Sequence, residues 1–146
     1  MQRLGKPAAQ GLKRTTASNS QKYIFGRIRC LPPWVSSPLW YFSLRATLSD
    51  GGSFPRDMPI AAFGQGKSVR EAFDHLQDMI KQFDRELPSS FLQAMREQVR
   101  DSTLAKVDEF FRGVPPDDAE IYLNFFCELG DDEESKAFLC CVQDLD

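Results

Sequence analysis

Between residues 39 and 48 apolar and polar positions alternate without a break. Trp40, Phe42, Leu44, Ala46 and Leu48 fall on one side, and Tyr41, Ser43, Arg45 and Thr47 on the other. A period of two is the signature of a strand with one buried face. Residues 23–31 repeat the pattern: Ile24, Ile28 and Cys30 share a face with Gly26 between them, and Tyr23, Phe25, Arg27 and Arg29 point the opposite way. The intervening LPPWVSSP is rich in proline and too long for a tight hairpin turn. Asp50-Gly-Gly signals a turn, and residues 58–63 read as a short third strand that Pro59 confines to an edge.

Beyond residue 67 the period changes. Ser68-Val-Arg-Glu71 is a capping box, in which the hydroxyl accepts an early free N–H of the helix and the Glu reaches back to the cap. Val69, Ala72, Phe73, Leu76, Met79, Ile80, Phe83 and Leu87 follow at spacings of three and four, and Pro88 ends that helix. Ser89 or Ser90 caps the next, with Phe91, Leu92, Met95 and Val99 inward. Its apolar spacing slips near Asp101-Ser102, which predicts a break before Leu104, Val107, Phe110 and Phe111. Gly113, Pro115 and Pro116 stop it. Asp117, Asp118 and Glu120 suit the start of a further helix, with Ile121, Tyr122, Phe125, Phe126 and Leu129 as its apolar face and Gly130 just past its end. A last short helix from Asp131 or Asp132 would bury Phe138, Cys141, Val142 and Leu145. The fold expected is α+β: a two- or three-stranded antiparallel sheet followed by four or five helices packed on one face. Residues 22–146 read as a single domain, β-rich over 22–63 and helical over 68–146.

Charge divides the chain differently. The first 49 residues hold eight Lys and Arg and no acid; the remaining 97 hold ten Lys and Arg and all 21 acids, so a net charge of −3 conceals halves of +8 and −11. Residues 1–21 are basic, hydroxyl-rich and nearly free of large apolar residues. They read as a flexible arm, or as a mitochondrial presequence, although Gly5, Pro7 and Gly11 oppose a stable helix there. No apolar core of a secretory signal follows the basic start. The longest apolar stretch, residues 30–42, is interrupted by Pro32, Pro33 and Pro38 and is too short to span a bilayer. With 42% hydrophobic residues the chain can fill a core. Cys30, Cys127, Cys140 and Cys141 match no zinc spacing and read as free thiols, which points to an intracellular, reducing compartment.

Short motifs add little chemistry. Ala61-Ala-Phe-Gly-Gln-Gly-Lys-Ser68 fits a relaxed phosphate-loop pattern before a helix, but Ala61 stands where the first glycine belongs and no downstream strand ends in an acid to hold a metal. Gly64 and Gly66 as a turn, with Ser68 as a cap, account for the same residues. His75, the only histidine, lies on the flank of an apolar helix face with no nucleophile or acid spaced to accompany it. The acids at 131–134 lack the alternating ligands and central glycine of a calcium loop. Gly66-Lys-Ser-Val-Arg-Glu-Ala72, after a β-rich segment, is similar to the strand-to-helix step of HicB-like antitoxins over residues 44–84 at most; the helical continuation departs from that family's DNA-binding element. Phe126-Cys-Glu-Leu-Gly-Asp-Asp132 resembles a BH3 helix in its Gly-Asp step, with Phe126 in place of the usual leucine and Glu133 where that motif is apolar.

Pairing of the two strands brings Phe25, Arg27, Arg29, Tyr41, Ser43 and Arg45 onto the face opposite the core. Guanidinium groups among aromatic rings suit a protein interface, a nucleic acid with stacked bases, or the chain's own acidic helices. The expectation is a small non-enzymatic binding or regulatory protein that engages a protein partner through Phe25, Arg27, Arg29, Tyr41 and Arg45, assisted by the arm. Nucleic-acid binding by the same face is the alternative, and phosphate-loop nucleotide binding the more distant one. No catalytic residue, metal or cofactor is expected.

Overall fold

Ile24, Ile28, Phe42 and Leu44 are fully buried on one face of two paired strands, β1 (Lys22–Leu31) and β2 (Trp40–Ser49), while Arg27, Arg29 and Arg45 are exposed on the other. The period-two pattern therefore positions both strands as predicted. The computed structural model describes residues 22–33, 38–49, 56–82, 87–113 and 119–143, with the backbone alone for 56–60 and 141–143. The arm over 1–21, the Asp50-Gly-Gly turn, Phe83, Asp117, Asp118 and Leu145 lie outside them, as do the side chains of Cys141 and Val142.

Two further strands flank this pair. β3 (Arg56–Gly66) runs longer than the expected 58–63 and pairs with β2 at one edge, with a register shift between Arg45 and Thr47. Pro59 falls within that irregular stretch, where a missing N–H breaks no regular ladder. β4 (Ile121–Leu129) pairs antiparallel with β1 at the other edge, giving the order β3-β2-β1-β4.

β4 corrects the expected helix over the same residues, and it raises the strand count to four. Ile121, Tyr122, Phe125, Phe126 and Leu129 fit helical spacing, but Phe125, Cys127 and Leu129 also alternate, and these three are the ones buried. Aromatic and β-branched residues are weak helix formers that pack well on a pleated surface. The open edge of β1 settles the choice. Gly26 lies opposite Phe125, and the Phe125 ring occupies the space a side chain at Gly26 would need, 2.4 Å from an added Cβ.

The helices α1 (Val69–Lys81), α2 (Ser89–Gln98), α3 (Asp101–Arg112) and α4 (Glu133–Gln143) complete the chain. Ser68 Oγ accepts the Glu71 N–H at 3.1 Å, as the capping box predicts. α1 then lays Val69, Ala72, Phe73, Leu76 and Ile80 on the sheet. Gly64 and Gly66 do not form a turn: they are strand residues directly beneath α1. A Cβ at Gly64 would lie 2.4 Å from the Leu76 backbone N. Ser89 and Ser90 are helical, and Pro88 occupies the cap position of α2. The expected break falls at Val99-Arg100 and divides one long helix into α2 and α3. Phe91 and Met95 of α2 and Leu104 and Val107 of α3 join one core with Phe42, Phe125 and Phe138. Each such burial stabilises by ~1.5–3 kcal/mol.

α4 is fastened by polar contacts. Asp132 accepts the Ser135 N–H at 3.0 Å and its hydroxyl at 2.9 Å, capping α4. Glu134 in turn accepts the N–H and hydroxyl of Ser89, supplying the acid that the Pro88 cap of α2 cannot. No helix among the described residues is long and apolar enough to cross a membrane.

Candidate functional site: the open sheet face

Because α1, α2 and α3 contribute to a core on one side of the sheet, the residues of opposite parity are left on the other. The register fixes their rows. Phe63, Ser43, Arg29 and Tyr122 lie side by side across the four strands. The next row is Ala61, Arg45, Arg27 and Asn124; then come Thr47, Phe25 and Phe126, followed by Ser49, Tyr23 and Glu128. All five predicted site residues share this face. Arg27, Arg29 and Arg45 are exposed, and Phe25 and Tyr41 are half-buried.

The face is rich in exposed aromatic area. Phe126 is 50% exposed, Phe63 47%, Tyr122 45% and Tyr23 36%, although all are large hydrophobic residues. They form pairs: Tyr41 stacks on Phe63 with ring centroids 5.7 Å apart, and Tyr23 meets Phe126 edge-on at 6.0 Å. Tyr23 was expected on this side. Phe63 was legible from the alternation of Ala61, Phe63 and Gln65 with buried Ala62, Gly64 and Gly66. Tyr122 and Phe126 were not found, because reading 121–129 as a helix assigned both to its apolar face.

The three arginines differ. Arg29 Nε donates to Glu120 Oε2 at 2.6 Å, and Tyr122 OH donates to Glu120 Oε1 at 2.6 Å. The Tyr122 bond and then Arg29 hold the Glu120 carboxyl below its usual range, and the same Tyr122–Glu120 bond raises the tyrosine. Glu120 thus neutralises Arg29. Arg27 has neutral partners: its Nε donates to Asn124 Oδ1 at 3.2 Å, and its guanidinium lies 5.0 Å from the Tyr122 ring centroid. Arg45 forms no ion pair or hydrogen bond among the described residues, and it stands directly opposite Arg27 in the register. Docking of this face on the chain's own acidic helices, one of the three alternatives, does not occur among those residues: α1, α2 and α3 supply core residues on the opposite side.

Elsewhere the chemistry is structural. Residues 61–66 of the phosphate-loop-like string are hydrogen-bonded strand rather than a loop around an anion. His75 Nδ1 accepts the Gln65 N–H at 3.0 Å and so fastens α1 to the edge of β3. Cys30 is fully buried, which pushes its thiol far above the ordinary range. Cys127 is raised by burial, with Ser90 Oγ 3.4 Å from its sulfur. No group of three or more His, Cys, Asp or Glu side chains is placed to hold a metal among the described residues. Comparison with known protein families, with curated proteins and with solved structures finds no match to this chain.

Proposed function

We propose that the chain is a non-enzymatic binding or regulatory protein that engages a protein partner through the open sheet face. The observation that carries the reading is the exposure of Tyr23, Phe63, Tyr122 and Phe126 on a face that no described helix covers. Aromatic and Arg side chains at the centre of a patch are what protein interfaces concentrate. The charge balance favours the same partner class. Glu120 cancels Arg29, and Glu128 lies on the same face. Nucleic-acid binding rests on many phosphate contacts along a backbone, and of the three arginines of this face Arg29 is already paired with Glu120.

Replacement of Phe63, Tyr122 and Phe126 by serine tests the reading. All three are already about half exposed, so the fold is retained, as circular dichroism would check. The tagged wild-type chain, recovered from its native source, should carry a partner protein that survives nuclease treatment and is absent from the triple variant. A solitary monomer, or a complex that nuclease dissolves, would count against it. The alternative, a nucleic acid stacked on the Tyr41–Phe63 and Arg27–Tyr122 pairs, predicts affinity for single-stranded RNA that falls steeply with salt.

A further inference from the structure

The cross-strand neighbours Arg27 and Arg45 present an unusual juxtaposition. Like charges directly opposite one another in a sheet are destabilising, and sheets ordinarily place an acid or a neutral residue there. Of the three arginines on this face, Arg29 is the one bonded to Glu120. Asn124, which holds Arg27, is neutral, and Ala61, the neighbour of Arg45 on β3, has no polar side chain. Two guanidinium groups therefore stand together at the centre of the face, with no carboxylate bonded to either among the described residues. The Tyr41–Phe63 pair lies towards one end of the strands and the Tyr23–Phe126 pair towards the other.

We propose that the Arg27–Arg45 pair is the anion-recognising centre of the face, and that its occupant is a segment of a partner protein that carries an Asp or Glu flanked by apolar or aromatic residues. The inference rests on the protein-partner reading above and specifies the partner's chemistry. A carboxylate accepts two parallel N–H bonds from a guanidinium fork, and the pair offers two such forks. The flanking apolar residues cover the aromatic pairs and exclude water from the ion pair. Charge complementarity selects the acid, because a neutral segment in the same place would leave two desolvated arginines facing each other.

The test is a selection of a random peptide library displayed on phage against the full chain, with the enriched peptides measured by fluorescence anisotropy on the wild type and on the double variant R27Q/R45Q. Enriched peptides should carry an Asp or Glu among apolar residues and lose at least about tenfold in affinity on the double variant, the range of a charged hydrogen-bonded pair. R45Q alone should leave thermal stability unchanged or raise it, since it removes a repulsion; a merely structural Arg45 would lower it. Enriched peptides without acids, bound equally by R27Q/R45Q but lost on the Phe63, Tyr122 and Phe126 triple variant, would overturn this inference and retain the protein-partner reading. Absence of any enrichment, with single-stranded RNA bound by the wild type and released by R27Q/R45Q, overturns both.

Discussion

The side-chain amide of Gln98 and the backbone of Phe126 pair as two strand residues do. Gln98 Nε2 donates to the Phe126 carbonyl at 2.6 Å, and the Phe126 N–H donates to Gln98 Oε1 at 3.1 Å. Phe126 sits on β4, an edge of the sheet, so these backbone groups point away from β1. The opposite edge is treated similarly, with the Gln65 N–H given to His75 Nδ1. Unpaired edge groups invite pairing with another chain, and helix side chains occupy part of each edge here.

Gln98→Ala should therefore cost about 1 kcal/mol, within the usual net value of neutral hydrogen bonds that water can replace. Denaturant unfolding measures that loss. Amide exchange locates it: the Phe126 N–H should exchange faster, whereas the Cys127 N–H, directed at β1 by strand alternation, keeps its protection. Unchanged exchange at Phe126 would show that the pairing contributes nothing.

The two kinds of buried strand glycine predict unequal costs. At Gly26 an added methyl meets the Phe125 ring, a side chain that can tilt; at Gly64 it meets the Leu76 N and Ala72 carbonyl of the α1 backbone, 2.4 and 2.5 Å away. Overpacking typically costs about 1–3 kcal/mol. Gly26→Ala should fall inside that range. Gly64→Ala should reach or pass its upper end, because α1 as a unit must move off β3. Equal losses in thermal or denaturant unfolding would mean that α1 is free to shift.

These positions also show what local pattern reveals and what it conceals. β1 and β2 were readable because burial imposes a period of two on ten consecutive residues each. Phe25, Arg27, Arg29, Tyr41 and Arg45 followed from the same alternation. β4 satisfied two periods at once, and the deciding fact, a glycine on β1 shaped for Phe125, lies 99 residues away, between positions 26 and 125. Weak helix formers such as Ile121, Tyr122, Phe125 and Phe126 were the available local signal. Neutralisation of Arg29 by Glu120 spans 91 residues and leaves no trace in spacing.

The Arg29–Glu120–Tyr122 cluster gives stability a defined pH dependence. The folded chain holds Glu120 below its ordinary value, chiefly through the Tyr122 hydroxyl and then Arg29. That contribution is complete above the ordinary carboxylate value and is lost as pH falls through the depressed one. Tyr122, raised by the same bond, adds a contribution present below the ordinary tyrosine value, about 10, and lost as pH rises through the elevated one. Glu120→Gln should consequently lower the melting temperature at neutral pH. The gap to the wild type should close towards acid as the wild-type carboxyl protonates. A gap that stays constant with pH would remove Glu120 ionisation as its cause.

The thiols should react in an order set by burial. Cys140 is exposed on α4, Cys127 is buried with Ser90 beside it, and Cys30 is fully enclosed at the β1 end of the core. Only a thiolate attacks a disulfide reagent, and burial raises the thiol in both Cys127 and Cys30, most strongly in Cys30. With an aromatic disulfide reagent at neutral pH, Cys140 should react first and Cys127 slowly. Cys30 should react only as fast as the sheet opens, its labelling rate following unfolding as denaturant is added. In a chain that already carries Cys141→Ser, Cys140→Ser removes the fast phase and leaves the slow ones. Rapid modification of Cys30 in the native chain would mean that the junction of β1 with β2 and β4 opens far more readily than the rest of the core.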